Sequence, residues 1–509
     1  MNCLFPEPGK NRRLALSALA LAAATLMAGC ADMSGIQTEA QQRTPQSLGL
    51  AADSAADQAA TVAPVDAQWW TALGDERLNQ LVATALADSP NLKVAQARIR
   101  KAWAQAQISQ AADGPQLNAQ ATASRNHAPA HGMIPPPIAG HNYSTAEARL
   151  NGSWSLDLFG KHRAALEAAV GAARAAQADS DAARVLLASN VVQAYVQLAR
   201  WQAQETVAER AIAQREHTLK LVLDRYNAGL DTTLEVRQSE SGVPEARVQL
   251  EQVREQKQLA QNALAALVGQ PAQAQGLQAA PIAQLKLPQY PQQISAHLLG
   301  RRADVVAARW RVEAAQSSIA EAKAEFYPDI NLTAFVGLSS VGLNNFAKTS
   351  AREWGVGPAL SLPIFDSGRL RANLRGISAD YDAAVEGYNQ AVINAVHDVA
   401  DQIASTRSAH AQLPEQRKAE AAAQSALDIA NQRYAAGLGT FLSVLSAETS
   451  VLAQRRQTVD IEARILSTNA ALAQALGGGY SEPAAGAEQP ASTGSSAPKS
   501  PAKQAKQAG

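Results

Sequence analysis

The sequence predicts an α+β membrane protein built twice, each half carrying two strands of a transmembrane sheet and helices of unusual length. Arg225-Tyr226-Asn227-Ala228-Gly229-Leu230 returns as Arg433-Tyr434-Ala435-Ala436-Gly437-Leu438, each time at the end of a long helical run. Ser155-Leu156-Asp157-Leu158-Phe159-Gly160 is echoed by Ser361-Leu362-Pro363-Ile364-Phe365-Asp366, just before each run begins. Before those runs lie segments that alternate apolar and polar residues with period two. A repeat of roughly 200 residues is far too long for a solenoid unit, so the chain is one half built twice.

Residues 1–29 read as a signal peptide. Lys10, Arg12 and Arg13 form a basic region, and the apolar stretch after them is too short for a comfortable membrane span. It ends in Leu26-Met27-Ala28-Gly29-Cys30, which resembles the bacterial lipobox with Met27 in place of the preferred Leu. That resemblance implies a lipidated Cys30 as the mature N-terminus, and Ala31 after it implies sorting to the outer membrane. Cys3 lies in the removed segment, so the mature chain has no disulfide and depends on packing and assembly. Net charge is +0, which gives no basic excess for nucleic acid. No run of 18 apolar residues follows Cys30, so any membrane crossing must use strands.

Residues 30–64 read as a lipidated tether, 65–269 as the first repeat, 270–295 as a proline-marked linker, 296–480 as the second repeat and 481–509 as a disordered tail. In the first repeat a helix enters through Asp88-Ser89-Pro90 and covers 91–112. After two strands, the run from Lys161 to Ala228 has no proline and would be roughly 100 Å long as one helix. A return helix covers 232–268, with a kink expected at Gly242 and Pro244. The second repeat follows the same order, with helices at 303–325, 367–436 and 440–476. In each half the two shorter helices together nearly match the long one, so stacked end to end they pair with it along its length. A lone helix of that length cannot bury its apolar face, here Leu186, Leu187, Val191, Val192, Tyr195, Val196 and Leu198.

The strands decide between a generic coiled coil and a membrane protein. From Tyr143 to Asp157 one face reads Ala146, Ala148, Leu150, Gly152, Trp154, Leu156, and the other carries Glu147, Arg149 and Asp157. Ile330, Leu332, Ala334, Val336 and Leu338 form a third strand face, and Trp354, Val356, Leu360, Leu362 and Ile364 a fourth; the strand at 116–126 alternates more weakly. A soluble sandwich would bury these faces against a second sheet, but the sequence holds no second strand set. A membrane barrel turns them to lipid and places Glu147, Arg149 and Asp157 in the lumen, with Trp154 and Trp354 at the interfaces. Four strands cannot close a barrel, and open edges are not tolerated in lipid. A dimer would give eight strands and a filled interior; a trimer gives twelve and leaves a pore.

The chain resembles the outer-membrane factors of tripartite efflux systems, in the lipoprotein subfamily that works with resistance-nodulation-division pumps. The resemblance rests on Trp69-Trp70 with Leu73, Asp75 and Leu78, on Leu299-Gly300-Arg301-Arg302-Ala303-Asp304-Val305, on Phe326-Tyr327-Pro328, on Leu362-Pro363-Ile364-Phe365 and on the two Arg-Tyr…Ala-Gly turns. It implies a homotrimer, a twelve-stranded β-barrel in outer-membrane lipid, a periplasmic α-helical barrel, and as partners a periplasmic adaptor and an inner-membrane pump. The runners-up are the tunnel of a type I protein-secretion system and a structural coiled-coil lipoprotein. No Ser-His-Asp order, metal-ligand spacing or phosphate loop appears, so neither an enzyme nor a cofactor is implied. His127, His131 and His141 crowd one strand–strand loop without a carboxylate or cysteine and read as loop decoration.

Gly229 and Gly437 are expected at helix ends with positive φ. Family resemblance implies a closable entrance at the two turns, held by carboxylates and a tyrosine. Asp231, Glu235, Tyr434, Ser443 and Ser446 are the candidates, with Glu235 paired to Tyr434. Ser443, Ser446 and Gly439 stand where some relatives have acidic residues, which argues against a dense acidic ring.

Overall fold

A computed structural model describes residues 33–44, 47, 65–288 and 300–481. Cys30, the C-terminal tail beyond residue 481 and the end of the predicted linker lie outside the described residues. In chain order the elements are α1 (Glu76–Asp88), α2 (Pro90–Ala112), β1 (Gln116–His127), β2 (Asn142–Leu156), α3 (Lys161–Asn227), α4 (Thr233–Val268), α5 (Ala303–Ala324), β3 (Asp329–Val341), β4 (Arg352–Ser361), α6 (Arg369–Ala435) and α7 (Phe441–Ala475).

The two halves are in register along their helices. Lys161 and Arg369, Asn227 and Ala435, and Thr233 and Phe441 are each 208 residues apart. α3 and α6 each run 67 residues, about 100 Å. α3 packs against α2 and α4, and α6 against α5 and α7, so two short helices do line each long one. The hairpins α3–α4 and α6–α7 meet through α3 and α7. That contact leaves α4 and α6 as the outer members of the four-helix strip. Pro244 and Pro414 both lie inside continuous helices.

The largest apolar core joins α1, α3, α4 and the C-terminal half of α7. Val191, Val192, Tyr195, Val196 and Leu198 are fully buried in it, whereas Leu186, predicted on the same face, is exposed. The Tyr195 hydroxyl donates to Asp75, whose other oxygen caps α1 at Arg77 N, and accepts from Ala280 N at 2.8 Å. One tyrosine thus fastens the first repeat to residues of the predicted linker. Ala279, Ile282 and Leu285 of that stretch are buried in the same core. Arg302 explains the Arg-Arg-x-Asp-Val signature: it bridges Asp304 at 2.7 Å, Asp398 of α6 at 3.1 Å and the Ala475 carbonyl closing α7. Residues 33–44 lie along α6, with Asp382 accepting from the amides of Glu39 and Ala40 and Asn389 accepting from Arg43 N.

The four strands form one antiparallel sheet in the order β1-β2-β3-β4. All helix connections leave from one end, and the loops 128–141 and 342–351 close the other. The even residues of β2 from Ala146 to Leu156 pair with Ser340 to Ile330, and the even residues of β3 pair with Leu360, Pro358, Val356 and Trp354. One face of the sheet is therefore apolar from the helical end to Leu338, broken only toward the loops, at positions such as Ser340 and Arg352, and the opposite face carries Glu147, Arg149 and Glu353. Trp154 lies toward the helical end, its indole N–H donating to Asp113 O, and Trp354 toward the loop end. Leu362 and Ile364 fall past the end of β4, a correction to the predicted strand: the backbone leaves the ladder at Ser361 to turn into α6. Among the described residues, the outer edges of β1 and β4 have no partner strand.

Candidate functional site

Two regions carry the side chains that bear on conduction: the helical tips and the polar face of the sheet. At the first tip α3 ends in a left-handed Gly229 with φ 76°, and Leu230 N returns to Arg225 O at 2.9 Å. At the second, Gly437 also has φ 76°, and Leu438 N returns to Arg433 O at 2.8 Å. A residue with a Cβ is strained in that conformation, so glycine is needed at both stops.

The tips are joined by one cluster. Asp231 accepts from the Tyr434 hydroxyl and from Arg225 Nε at 3.1 Å and Nη2 at 3.3 Å. Arg225 lies 4.5 Å from the Tyr434 ring centroid and donates to Ala435 O. Tyr434 is 1% exposed, packed with Val222, Val236, Leu427, Phe441 and Val444. Burial and the Asp231 carboxylate push its hydroxyl pKa up, and the bond to Asp231 raises the Arg225 pKa. At neutral pH the tyrosine is thus a neutral donor and the arginine a cation, the states that a shared carboxylate acceptor requires.

This corrects the expected Glu235–Tyr434 pair. Glu235 instead closes a capping box on α4, accepting from Thr232 N at 3.0 Å and from the Thr232 hydroxyl, which lower its pKa. Glu235, at the third position of α4, reaches back to the amide and hydroxyl of its cap Thr232, whereas Asp231, one residue before the cap, faces the seam. At the second tip Ser443 meets only the Thr440 hydroxyl at 3.0 Å, and Ser446 is exposed on α7. Two participants were missed from sequence. Arg225 was visible only as part of the repeated Arg-Tyr pair. Glu448 of α7 is 8% exposed and accepts from Thr218 and Gln214 of α3. Its repeat counterpart, Glu240, is the signal that a comparison of the halves would have used.

On the polar face of the sheet, Arg149 holds Glu353 through two bonds and Glu147 at 2.8 Å. The pair spans β2 to β4 across Gly337, where a Cβ would press against the Arg149 stem. Glu353 was not anticipated. Asp157, expected in the lumen, lies past the end of β2 and accepts from Arg163 N in the first turn of α3, so it serves the helix start. Of the loop histidines, His127 meets Asn142 and His141 meets Ala139 O.

An apolar sheet face with belt tryptophans, two unpaired edges and helices of about 100 Å on one side define a membrane channel that closes its barrel with copies of itself. The comparisons give the family. The chain matches the outer membrane efflux protein family over residues 81–270 and 294–478. It is 33% identical over 469 residues to the putative multidrug resistance outer membrane protein MdtQ of Escherichia coli, covering 89% of this chain and 96% of that one. It is 38% identical to the fusaric acid resistance protein FusA of Burkholderia cepacia over 73% of this chain and 71% of that one. Its fold is similar to that of the outer membrane protein VceC of Vibrio cholerae, with TM-score 0.77, 35% identity, and 82% and 100% of the two chains covered. The chain belongs to the outer membrane efflux protein family. It is the exit duct of a tripartite efflux pump, a trimeric channel of twelve strands continued by an α-helical barrel.

Proposed function

We propose that this duct is closed at its helical tips, and that Tyr434, Asp231 and Arg225 hold the two hairpins of each protomer together there. The observation that carries the reading is the single carboxylate shared by a buried tyrosine of one hairpin and an arginine of the other. Hydrogen bonds to a charged group contribute about 1.5–3 kcal/mol, so three copies favour a shut tip that contact with an adaptor offsets. The energy comes from the inner-membrane pump, and this chain supplies a wall and a gate. Relatives named for multidrug and fusaric acid resistance support small organic toxicants as the cargo. Cys30 carries the lipid that fixes the mature N-terminus to the outer membrane; an intact mass showing an unmodified chain that begins elsewhere would refute this.

Conductance of Tyr434→Phe and Asp231→Asn channels in planar bilayers tests the gate. Both should leak at rest more than the parent. If both conduct like the parent, and the double mutant shows no coupling, the tip is held by something else.

A further inference from the structure

We infer that the barrel of the duct favours cationic over anionic cargo, and that Arg149 sets how strong that preference is. The preference lies in the sheet and is the same however the tip is shut.

Register fixes which residues share the polar face. Gln120, Arg149, Gly337 and Glu353 stand in one row across the sheet, and Thr122, Glu147 and Ser339 in the next row toward the loops. Over the four strands that face carries three carboxylates, Glu147, Asp329 and Glu353, and a single cation, Arg149. Three carboxylates against one guanidinium leave a net charge of −2 in each copy, and three copies bring −6 to one lumen. A passage lined by one sign of charge, with low-dielectric walls, raises the local concentration of ions of the other sign.

Arg149 is not free to receive an anion. It donates to Glu353 through two bonds, one of them 3.0 Å, and meets Glu147 at 2.8 Å. Its guanidinium lies 5.3 Å from the Phe335 ring centroid. Two glycines let both long side chains lie along the wall. A Cβ at Gly337 would stand 2.8 Å from Arg149 Cγ, and one at Gly355 would stand 2.6 Å from the Phe335 ring. The charges are therefore fixed on the wall and leave the bore open. They also face water: the side chains of Arg149, Glu147 and Glu353 are 35%, 36% and 27% exposed. Arg149 cancels one of the two carboxylates that hold it, and the other is the surplus that cargo meets. Without the arginine this group of three goes from −1 to −2.

The test measures the local field with single thiols in the full-length trimer. Gln120→Cys stands beside Arg149, and Asn126→Cys lies about 20 Å nearer the loops; both positions are exposed. Each is modified with a cationic and an anionic methanethiosulfonate of similar size, which enter by the loop-side mouth, and the rates are read on the labelled peptide. The same thiolate attacks both reagents, so the ratio of the rates cancels any change in its reactivity. At about 0.01 M salt the Debye length is about 30 Å, and a unit charge about 7 Å away changes the concentration of a monovalent ion about threefold, in opposite senses for the two reagents.

At Gln120→Cys the parent should favour the cationic reagent more than a small free thiol does. Arg149→Gln should raise the cation-to-anion ratio about fivefold or more, Arg149→Lys should leave it near the parent value, and Glu147→Gln with Glu353→Gln should lower it at least as far. At Asn126→Cys the changes should stay within about twofold, and about 1 M salt should erase them all. The potassium-over-chloride permeability ratio in planar bilayers should rank the variants in the same order. Light scattering shows which variants still form a trimer, and one that does not leaves the others to decide. The inference is overturned if neither reagent reaches Gln120→Cys, if the parent favours the anionic reagent, or if the ratio there is the same in every variant. It is also overturned if Arg149→Lys behaves like Arg149→Gln, if Asn126→Cys responds as strongly, or if the permeability ratios rank otherwise. None of these outcomes bears on the Tyr434 gate, which the conductance of Tyr434→Phe tests separately.

Discussion

The two helical tips begin from the same hexapeptide pattern and end with different tasks. Both stop at a glycine with φ 76°, and both place a tyrosine one turn before the stop. Tyr434 is 1% exposed and Tyr226 is 41% exposed. Geometry alone does not separate them; what lies opposite does. Tyr434 points at Asp231, and the residue equivalent to Asp231 in the other tip is Gly439. The duplication supplies a scaffold twice, and the differences between the copies decide which seam is tied.

The largest expected effect comes from emptying the tyrosine positions. Tyr434→Ala removes a buried ring packed 6.0 Å from Phe441 and the donor to Asp231, a loss of about 3–5 kcal/mol at that tip. Tyr226→Ala removes a ring that the protomer leaves half in solvent, and the cost there should stay below about 1 kcal/mol. Amide hydrogen exchange across both tips reads the contrast. Equal loss of protection in the two variants would mean that the tips are not differentiated.

Exchanging the acidic residue is the next step down. Asp231→Gly gives the first tip what the second has, leaves the Tyr434 hydroxyl without its acceptor and takes the carboxylate from Arg225, at a cost of about 1.5–3 kcal/mol. Resting conductance should rise. The reverse change, Gly439→Asp, meets no positive φ, unlike at Gly437, but its Cβ would lie 3.3 Å from Tyr434 N and Arg433 Cβ, so the turn must give by a few tenths of an ångström. It should lower open probability by giving the second tip the carboxylate that the first tip has. If Gly439→Asp raises conductance instead, the two tips are not equivalent by the 208-residue shift.

A smaller effect separates the two glutamates. Glu448→Ala strips the acceptor from Thr218 and Gln214 at a buried site and should cost about 1–3 kcal/mol. Glu240→Ala removes only an ion pair with Arg237, whose side chain is largely in solvent, and should change stability by no more than about 0.5 kcal/mol. Thermal unfolding in detergent gives both values. A Glu240 variant as damaged as the Glu448 one would show that the two equivalent positions are not differentiated.

Much of the architecture was legible because long-period signals are hard to mimic. Glycine stops, long uninterrupted runs and period-two strands gave every strand and every helix but α1 within a few residues; Glu76–Asp88 was not anticipated. The polar face of the sheet followed from Glu147 and Arg149, but their partner Glu353 did not, since it opens β4 two residues from a loop. Asp157 misled because alternation continues past the point where the backbone leaves the ladder at Leu156. Glu235 was chosen over Asp231 because both follow the turn, and sequence spacing does not say which carboxylate a helix start will claim. Leu186 shows the same limit: an apolar position on the predicted face is left exposed when no neighbouring helix reaches it.

The capping box gives the smallest contrast, and it responds to acid. Glu235 is held below the ordinary carboxylate range by the Thr232 hydroxyl and backbone amides. A lowered folded pKa contributes stability that is present above the unfolded value of about 4.3 and is lost as pH falls through the folded value. The equivalent position in α7 is Ser443, whose contact with Thr440 involves nothing that titrates in this range. The first turn of α4 should therefore lose protection against hydrogen exchange below about pH 4 while the first turn of α7 keeps its own. Glu235→Gln retains an acceptor without the charge and should remove the pH dependence from α4 alone. Parallel loss in both turns would point to general acid unfolding, and an unchanged α4 would mean that the box makes no contribution to holding the first tip.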